Sequence, residues 1–288
     1  MHVYTLRQGD KGQEVVRLQA ALTGLRADGD FGRKTEKAVR ECQKTQRLVV
    51  DGMAGPKTLG SLGIEVFGGI DVSAWNGQID WDRVAAGGVK YAWTKITEGR
   101  THTNKPYKYN IDGCHQNGIV VGGYHFGRPD TGIEQGAKAD AVAEAQHFLS
   151  KLCPLLQAGD LAPVLDVEAG MKTDDQHNVD WCLEWLEYME SEIGVKPLVY
   201  TGGWAVALYL KRSSKSSLED LAKYPLWWAR YKTPETGVAV DPDSGSKMLP
   251  WNEWSVWQWT GKGKIDGIKG KVDRNWMAGS KLSSLLIP

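Results

Sequence analysis

The 288-residue chain contains no run of about 18 to 20 apolar residues, which excludes a membrane-spanning helix. It carries no net charge, with 35 Lys and Arg against 35 Asp and Glu. Divided after residue 67, the balance is 11 basic to 8 acidic residues, then 24 to 27. Neither part has the basic excess of a nucleic-acid binder, so that partner class is set aside. Only four cysteines occur (Cys42, Cys114, Cys153, Cys182), far apart and with no C-x-x-C pair. They are expected as reduced thiols rather than a disulfide framework or a zinc site. The six histidines show no H-E-x-x-H spacing, which disfavours a zinc peptidase or amidase, and no metal or cofactor is expected. The first residues, Met1 to Gln8, have no basic region followed by an apolar core. No cleavable signal peptide is therefore expected.

Phenylalanine is scarce, at 4, while tryptophan is abundant, at 13, and every Trp lies between Trp75 and Trp276. An indole has a flat apolar face and a polar N–H edge, which suits sugar rings with apolar C–H faces and hydroxyl rims. A core filled with indoles is the competing explanation. The remaining composition, 41% hydrophobic and 24% charged, is that of an ordinary globular protein.

The length suggests two domains, or a barrel with a small appendage. Residues 1–63 carry an internal repeat. Asp28-Gly29-Asp30-Phe31-Gly32-Arg33-Lys34-Thr35 returns as Asp51-Gly52-Met53-Ala54-Gly55-Pro56-Lys57-Thr58, sharing D-G-x-x-G-x-x-T. The glycines permit tight turns with positive φ, and each turn delivers the chain to a helix. Pro56 suits an early helical position. Val15, Leu18, Leu22 and Leu25 mark one amphipathic helix, and Thr35, Ala38, Val39 and Cys42 a second. A small all-α domain follows, with a short linker at 64–68 and a second domain at 69–288.

Beyond the linker, β-rich runs alternate with helical ones. Strands are expected at 69–73, 90–96, 119–126, 162–168, 197–201, 226–229, 254–259 and 271–274. Helices are expected near 107–116, 134–152, 180–193 and 204–210, while Lys211–Ser217 reads as a solvated loop. Eight strands separated by helices argue for a parallel α/β barrel, irregular in the helix-poor stretch 231–268.

Reactive groups of such barrels sit at the C-terminal ends of strands. Asp71, Asp166, Glu168 and Asp273 occupy such positions, where unpaired acids are costly unless used. Salt bridges to Lys95, Arg128 or Arg230 are the bland explanation for any one of them. Asp166 and Glu168, two residues apart on a strand, point to one face about 6.6 Å apart. Close carboxylates raise one another's pKa, so one stays protonated as a general acid. That is the acid glycoside hydrolysis requires, and three routes remain open. The second carboxylate attacks directly, or it activates water, or a 2-acetamido group of the substrate attacks.

Gly69-Ile70-Asp71-Val72-Ser73-x-Trp75-x-Gly77-x-Ile79-Asp80-Trp81 resembles the opening of glycoside hydrolase family 25 lysozymes. The resemblance continues in order through Lys95-x-Thr97-Glu98-Gly99, Gly122-Gly123-Tyr124-His125-Phe126 and Asp166-Val167-Glu168. Tyr200-Thr201, Leu226 to Tyr231, Trp257-Gln258-Trp259-Thr260 and Val272-Asp273 complete it. Likewise Leu6-Arg7-x-Gly9-x-x-Gly12-x-x-Val15-x-x-Leu18-Gln19 with the two turns resembles the small peptidoglycan-binding domain of cell-wall hydrolases. The combined layout is similar to a modular phage endolysin.

This resemblance implies a flattened, irregular β/α barrel that cleaves the β-1,4 bond between N-acetylmuramic acid and N-acetylglucosamine of bacterial peptidoglycan. It implies Glu168 as general acid/base and Asp166 as the carboxylate that orients the acetamido group or stabilises positive charge at the anomeric carbon. Asp71 and Asp273 would be the remaining acids of the cleft. Tyr124, Tyr200, Trp228, Trp259 and His125 are expected around the sugar sites, His125 either as a donor to a carboxylate from behind or as a packed core residue. Thr97-Glu98-Gly99 suggests a catalytic role for Glu98, but Lys95 and a turn explain it equally well. A monomer is expected, made in a host cytoplasm and released to the wall through a membrane pore. Two alternatives stay open: a non-catalytic wall-binding lectin, and a hydrolase of an amide or peptide bond in the same polymer.

Overall fold

A computed structural model describes residues 3–129, 136–169, 174–231, 238–239 and 248–288. The N-terminal unit consists of three helices, α1 (Gln13–Ala21), α2 (Arg33–Thr45) and α3 (Pro56–Ser61), around Leu6, Val15, Leu18, Phe31, Val39 and Leu59. Both repeated turns are built the same way. The Gln19 side chain donates to Asp28 Oδ1 (2.9 Å) and Thr35 Oγ1 (2.9 Å) and accepts from the Gly29 amide (2.8 Å). Gln43 does the same for Asp51 (2.8 Å), Thr58 (3.2 Å) and Gly52 (2.9 Å). Gly29 and Gly52 take φ of 75° and 77°, which a side chain would strain. The unit is not purely helical. Single bridges join Leu6 to Ala54 and Lys11 to Asp30, and Val3–Tyr4 pairs in parallel with Val238–Ala239.

The second unit is a closed ring of eight strands. In chain order these are β1 (Val66–Val72), β2 (Tyr91–Glu98), β3 (Val120–Phe126), β4 (Val164–Asp166), β5 (Leu198–Gly202), β6 (Leu226–Ala229), β7 (Val256–Gly263) and β8 (Val272–Ala278). Each strand pairs with its neighbours in sequence, and β8 closes on β1. All eight expected strands are present. One expectation fails: the ring is not wholly parallel, because β8 runs antiparallel to both β7 and β1. The turn at 264–271 is too short to hold a crossover helix, so the chain returns as a hairpin. The linker is also shorter than expected, since residues 66–68 already belong to β1 and Gly68 pairs with Trp276.

Helices cover the outside: α4 (Trp81–Ala86), α5 (Tyr107–Gln116), α6 (Gly136–Leu152), α7 (Asp175–Ile193), α8 (Gly203–Tyr209) and α9 (Lys215–Leu221). The expected start of α6 at residues 134 and 135 lies outside the described residues, as do 232–237 and 240–247 of the helix-poor stretch. The run Lys211–Ser217 is not simply a loop. Ser214 accepts a hydrogen bond from the Ser217 amide and thereby caps α9.

Strand alternation separates two cores. Tyr91, Trp93, Val164, Leu198, Tyr200, Trp227 and Val256 fill the barrel interior. Ile70, Ile96, Leu165, Val199, Trp228, Trp257 and Trp259 face outward into the helical layer. Gly69 and Gly122 make room inside: a Cβ on either would lie 2.2 Å from the Tyr91 ring or 2.5 Å from the Trp93 indole nitrogen.

Candidate active site

The four acids meet at one end of the barrel. Asp71 and Asp273 are directly paired across β1 and β8, Asp166 ends β4, and Glu168 lies two residues further on. All four line a single cavity of about 400 Å³, together with Lys95, Tyr124 and Tyr200 among others. No ion pair to any of the four occurs among the described residues, so salt bridging does not account for them. Lys95 instead donates to Glu98 (2.6 Å), which also accepts from Arg128 (2.8 Å). Both cations lie 4.5 Å from the Phe126 ring centre. Of the two readings open for Glu98, the structure shows the charge partner of Lys95 and Arg128.

A hydrogen-bond relay holds Asp71. The Trp227 indole donates to Asn275 Oδ1 (2.9 Å), and Asn275 Nδ2 donates to Asp71 Oδ2 (2.8 Å). From the other side Tyr200 (2.9 Å) and Tyr231 (2.8 Å) both donate to Gln258 Oε1, and Gln258 Nε2 donates to the same Asp71 oxygen (2.9 Å). Two donors converging on one oxygen from opposite sides fix the carboxylate's orientation. By contrast, Asp166 Oδ1 is buried with no hydrogen-bond partner among the described residues. Such an oxygen is costly in a closed protein and ready for a donor from a ligand.

Burial moves all four acids the same way, and repulsion from neighbouring carboxylates adds to it for Asp166, Glu168 and Asp273. Asp71 is raised to about 6 by burial, against the hydrogen bonds from Asn275 and Gln258. Burial raises Asp273 to about 8, with the charges of Asp71 and Glu168 adding. Asp166 is pushed well up by burial and then by Glu168, while Lys95 pulls it down. Glu168 is raised by burial and by Asp71, with Lys95 and Arg128 opposing. The cluster therefore holds protons at a pH where isolated carboxylates are ionised.

Of the sugar-site candidates, Tyr124 and Tyr200 line the cavity. Three do not. Trp228 is buried facing outward, one residue out of phase with Trp227, which does line the cavity. Trp259 likewise faces outward, stacked 6.1 Å from Trp276 on the same side of the sheet. His125 is fully buried between Thr97 (2.8 Å) and Glu144 (2.7 Å) and stacked on Trp185. Burial lowers its pKa to about 3 and raises Glu144 to about 8, so the pair shares one proton as a neutral hydrogen bond. It is the packed core histidine, not a cleft residue. Sequence reasoning missed Lys95 as a lining residue, and missed Trp75, Tyr231 and Gln258. Strand parity counted from Asp71 would have pointed to Gln258 and Trp227 once the register was known.

Residues 70–268 match the sequence profile of glycosyl hydrolases family 25. The chain belongs to this family. A separate match, to a peptidoglycan binding domain family, covers residues 11–62. Among relatives of the family 25 chain, the uncharacterized protein YegX of Escherichia coli (strain K12) is 30% identical over 217 residues, covering 74% of this chain and 70% of YegX. Lysozyme M1 of Streptomyces globisporus is 28% identical over 238 residues, covering 79% of this chain and 74% of that enzyme. The crystal structure of the bacterial lysozyme from Streptomyces coelicolor aligns with a TM-score of 0.62 at 25% identity, over 76% of this chain and 96% of the lysozyme. Family membership thus agrees with the irregular barrel and with a carboxylate-lined mouth.

Proposed function

We propose that this family 25 enzyme is an N-acetylmuramidase that cleaves the β-1,4 bond between N-acetylmuramic acid and N-acetylglucosamine in bacterial peptidoglycan. The observation that carries this is the convergence of Asp71, Asp166, Glu168 and Asp273 on one open cavity, with no salt bridge to any of them among the described residues. Two of the relatives named above are lysozymes, and the N-terminal match is to a peptidoglycan-binding family.

In this mechanism Glu168, raised by burial and by Asp71, protonates the departing glycosidic oxygen and later deprotonates the incoming water. Asp166, with one oxygen unpartnered, accepts the N–H of the 2-acetamido group and turns its carbonyl oxygen toward the anomeric carbon. Asp71, with the lower pKa of the pair, supplies the negative charge that stabilises positive charge developing there, while Asp273 beside it holds a proton. Tyr124 and Tyr200 bound the sugar subsite, their hydroxyls held protonated by burial.

The proposed division is a wall-binding unit over residues 1–63 and a catalytic unit from β1 onward. Tethering raises the local concentration of substrate at the active site without adding a contact there. The chain acts as a monomer on peptidoglycan, with neither nucleic acid nor a membrane as partner. Delivery follows the endolysin route, through a membrane pore at the end of a phage cycle.

The bond is tested by digesting purified sacculi, reducing the products with borohydride and analysing them by mass spectrometry. New muramitol ends support the muramidase. New glucosaminitol ends would mean the other glycosidic bond, and new free amino groups without reduced sugars would mean an amide or peptide hydrolase. No products with wall binding intact would mean a lectin.

A further inference from the structure

Tryptophan placement singles out two positions. Eleven of the 13 indoles are at most 7% exposed, whereas Trp75 is 96% and Trp204 50% exposed. An aromatic side chain can bury about 150–250 Å², so an indole left in water forgoes a large stabilisation. In a chain that buries every other Trp, this exposure calls for a use.

Neither position is loose. Trp75 is in the middle of a single 3-10 turn, Ala74–Asn76, directly after β1. Ser73 caps the turn by accepting from the Trp75 amide (3.3 Å), and Asn76 accepts from the Ser73 amide (2.8 Å). Asn104 accepts from the Ala74 amide (3.1 Å), and Asn76 donates to the Lys271 carbonyl (3.2 Å). The turn is tied to the loop after β2 and to the hairpin before β8, and Trp75 is among the residues bordering the acid cavity. Trp204 follows β5 in the first turn of α8, with its indole lying back over the strand end. A Cβ at Gly202 would stand 3.1 Å from the Trp204 indole nitrogen. Beside it, Arg230, Lys211 and Leu249 border a groove of about 500 Å³. Arg230 is followed directly by Tyr231, which lines the acid cavity, so the two depressions adjoin.

The ring order places these two indoles at opposite ends. β1 and β5 are four strands apart in either direction around the eight. With about 4.8 Å between tilted strands, such a ring is roughly 15 Å across, more than one sugar unit. The acids lie between.

We propose that Trp75 and Trp204 are aromatic platforms that seat sugar rings of one glycan strand at opposite ends of the barrel mouth, on either side of the four carboxylates. This rests on the muramidase reading and extends it, because it makes the enzyme select a strand long enough to reach both rings. The flat apolar face of each indole meets the C–H face of a pyranose, and its position beside the acid cavity leaves the scissile bond over Glu168. A glycan fits better than a protein partner, since one of the two indoles belongs to the cavity that holds the acids.

The test compares wild type with Trp75→Ala, Trp204→Ala, the double variant, and Phe at each position. Substrates are peptide-free glycan strands and a tetrasaccharide cut from them. Each Ala variant raises KM on long strands by about fivefold to tenfold with kcat within about twofold. Phe restores most of the loss, and the double variant no longer prefers long strands to the tetrasaccharide. Calorimetric titration of the same strands into each of these proteins with Glu168→Gln added reads the contacts without turnover, so a failure to bind is separable from a failure to cleave. Unchanged KM and affinity in both Ala variants would overturn the proposal while leaving the muramidase standing. So would a loss of kcat alone that Phe does not rescue, or a wild-type dimer in sedimentation that the Ala variants dissolve. Absence of reducing ends from wild type, with strand binding still dependent on both indoles, would sink the muramidase and leave the platforms.

Discussion

Replacing Asp71 with asparagine stabilises the protein near neutral pH while it removes activity. The asparagine carbonyl keeps both hydrogen bonds that Asp71 Oδ2 accepts, from Gln258 (2.9 Å) and Asn275 (2.8 Å), and its NH2 takes the place of Oδ1. What disappears is a buried negative charge. Burial raises the Asp71 pKa from 3.8 to about 6. At 1.36 kcal/mol per unit, carrying that charge costs the folded state about 3 kcal/mol. The sign follows from proton counts. Below about pH 4 the carboxyl is protonated in both folded and unfolded chains, and no cost exists. As pH rises to about 6 the unfolded chain releases its proton while the folded one retains it, and stability falls. Above about pH 6 the full cost is present. The asparagine variant therefore gains only about 0.5 kcal/mol at pH 4 and about 3 kcal/mol at pH 7.5, the latter about 5 °C in melting temperature. Relief of Asp273 and Glu168, both raised in part by Asp71, adds in the same direction. Scanning calorimetry of both proteins between pH 4 and 7.5 checks this. A variant that melts lower at pH 7.5, or whose advantage does not grow with pH, refutes the reasoning.

Three other outcomes follow from the structure. Lys95→Met removes a cation that lowers both Asp166 and Glu168, so both limbs of the pH–rate profile move to higher pH; an unmoved profile contradicts this. Gln43→Ala deletes the side chain that ties Asp51, Gly52 and Thr58 together, costing about 2–4 kcal/mol of N-terminal stability. Sedimentation with sacculi then shows weakened wall binding, while turnover of soluble glycan is kept. Trp228→Phe costs about 1–2 kcal/mol of stability with KM unchanged, because its indole packs under the helices and not in the mouth. Chemical denaturation and Michaelis kinetics on the same sample separate the two effects.

Much of the fold was legible because its signals are local. Each barrel strand shows as a short β-rich run, and α5 was expected at the residues it occupies. The acids could be read because charged groups at the ends of apolar strands are rare without a use. What escaped depends on pairing register. Leu226-Trp227-Trp228-Ala229 reads equally well in either phase, and only the pairing of Tyr200 with Trp227 decides which indole turns inward. Trp257, Gln258 and Trp259 show the same ambiguity, with the polar residue facing in. The antiparallel β8 was hidden because strand direction leaves no mark in composition. The glutamines behind the repeated turns escaped for a different reason. Gln19 precedes Asp28 by nine residues and Gln43 precedes Asp51 by eight, so a fixed repeat length does not align them.

The release of muramic-acid reducing ends from purified sacculi by Glu168→Gln, beside wild type, measures the central claim. The glutamine side chain has the same shape but cannot donate the proton, so the rate falls by a factor of about 10²–10⁴ with wall binding and circular dichroism unchanged. Release at the wild-type rate would show that the acid on this strand does not cleave the glycan.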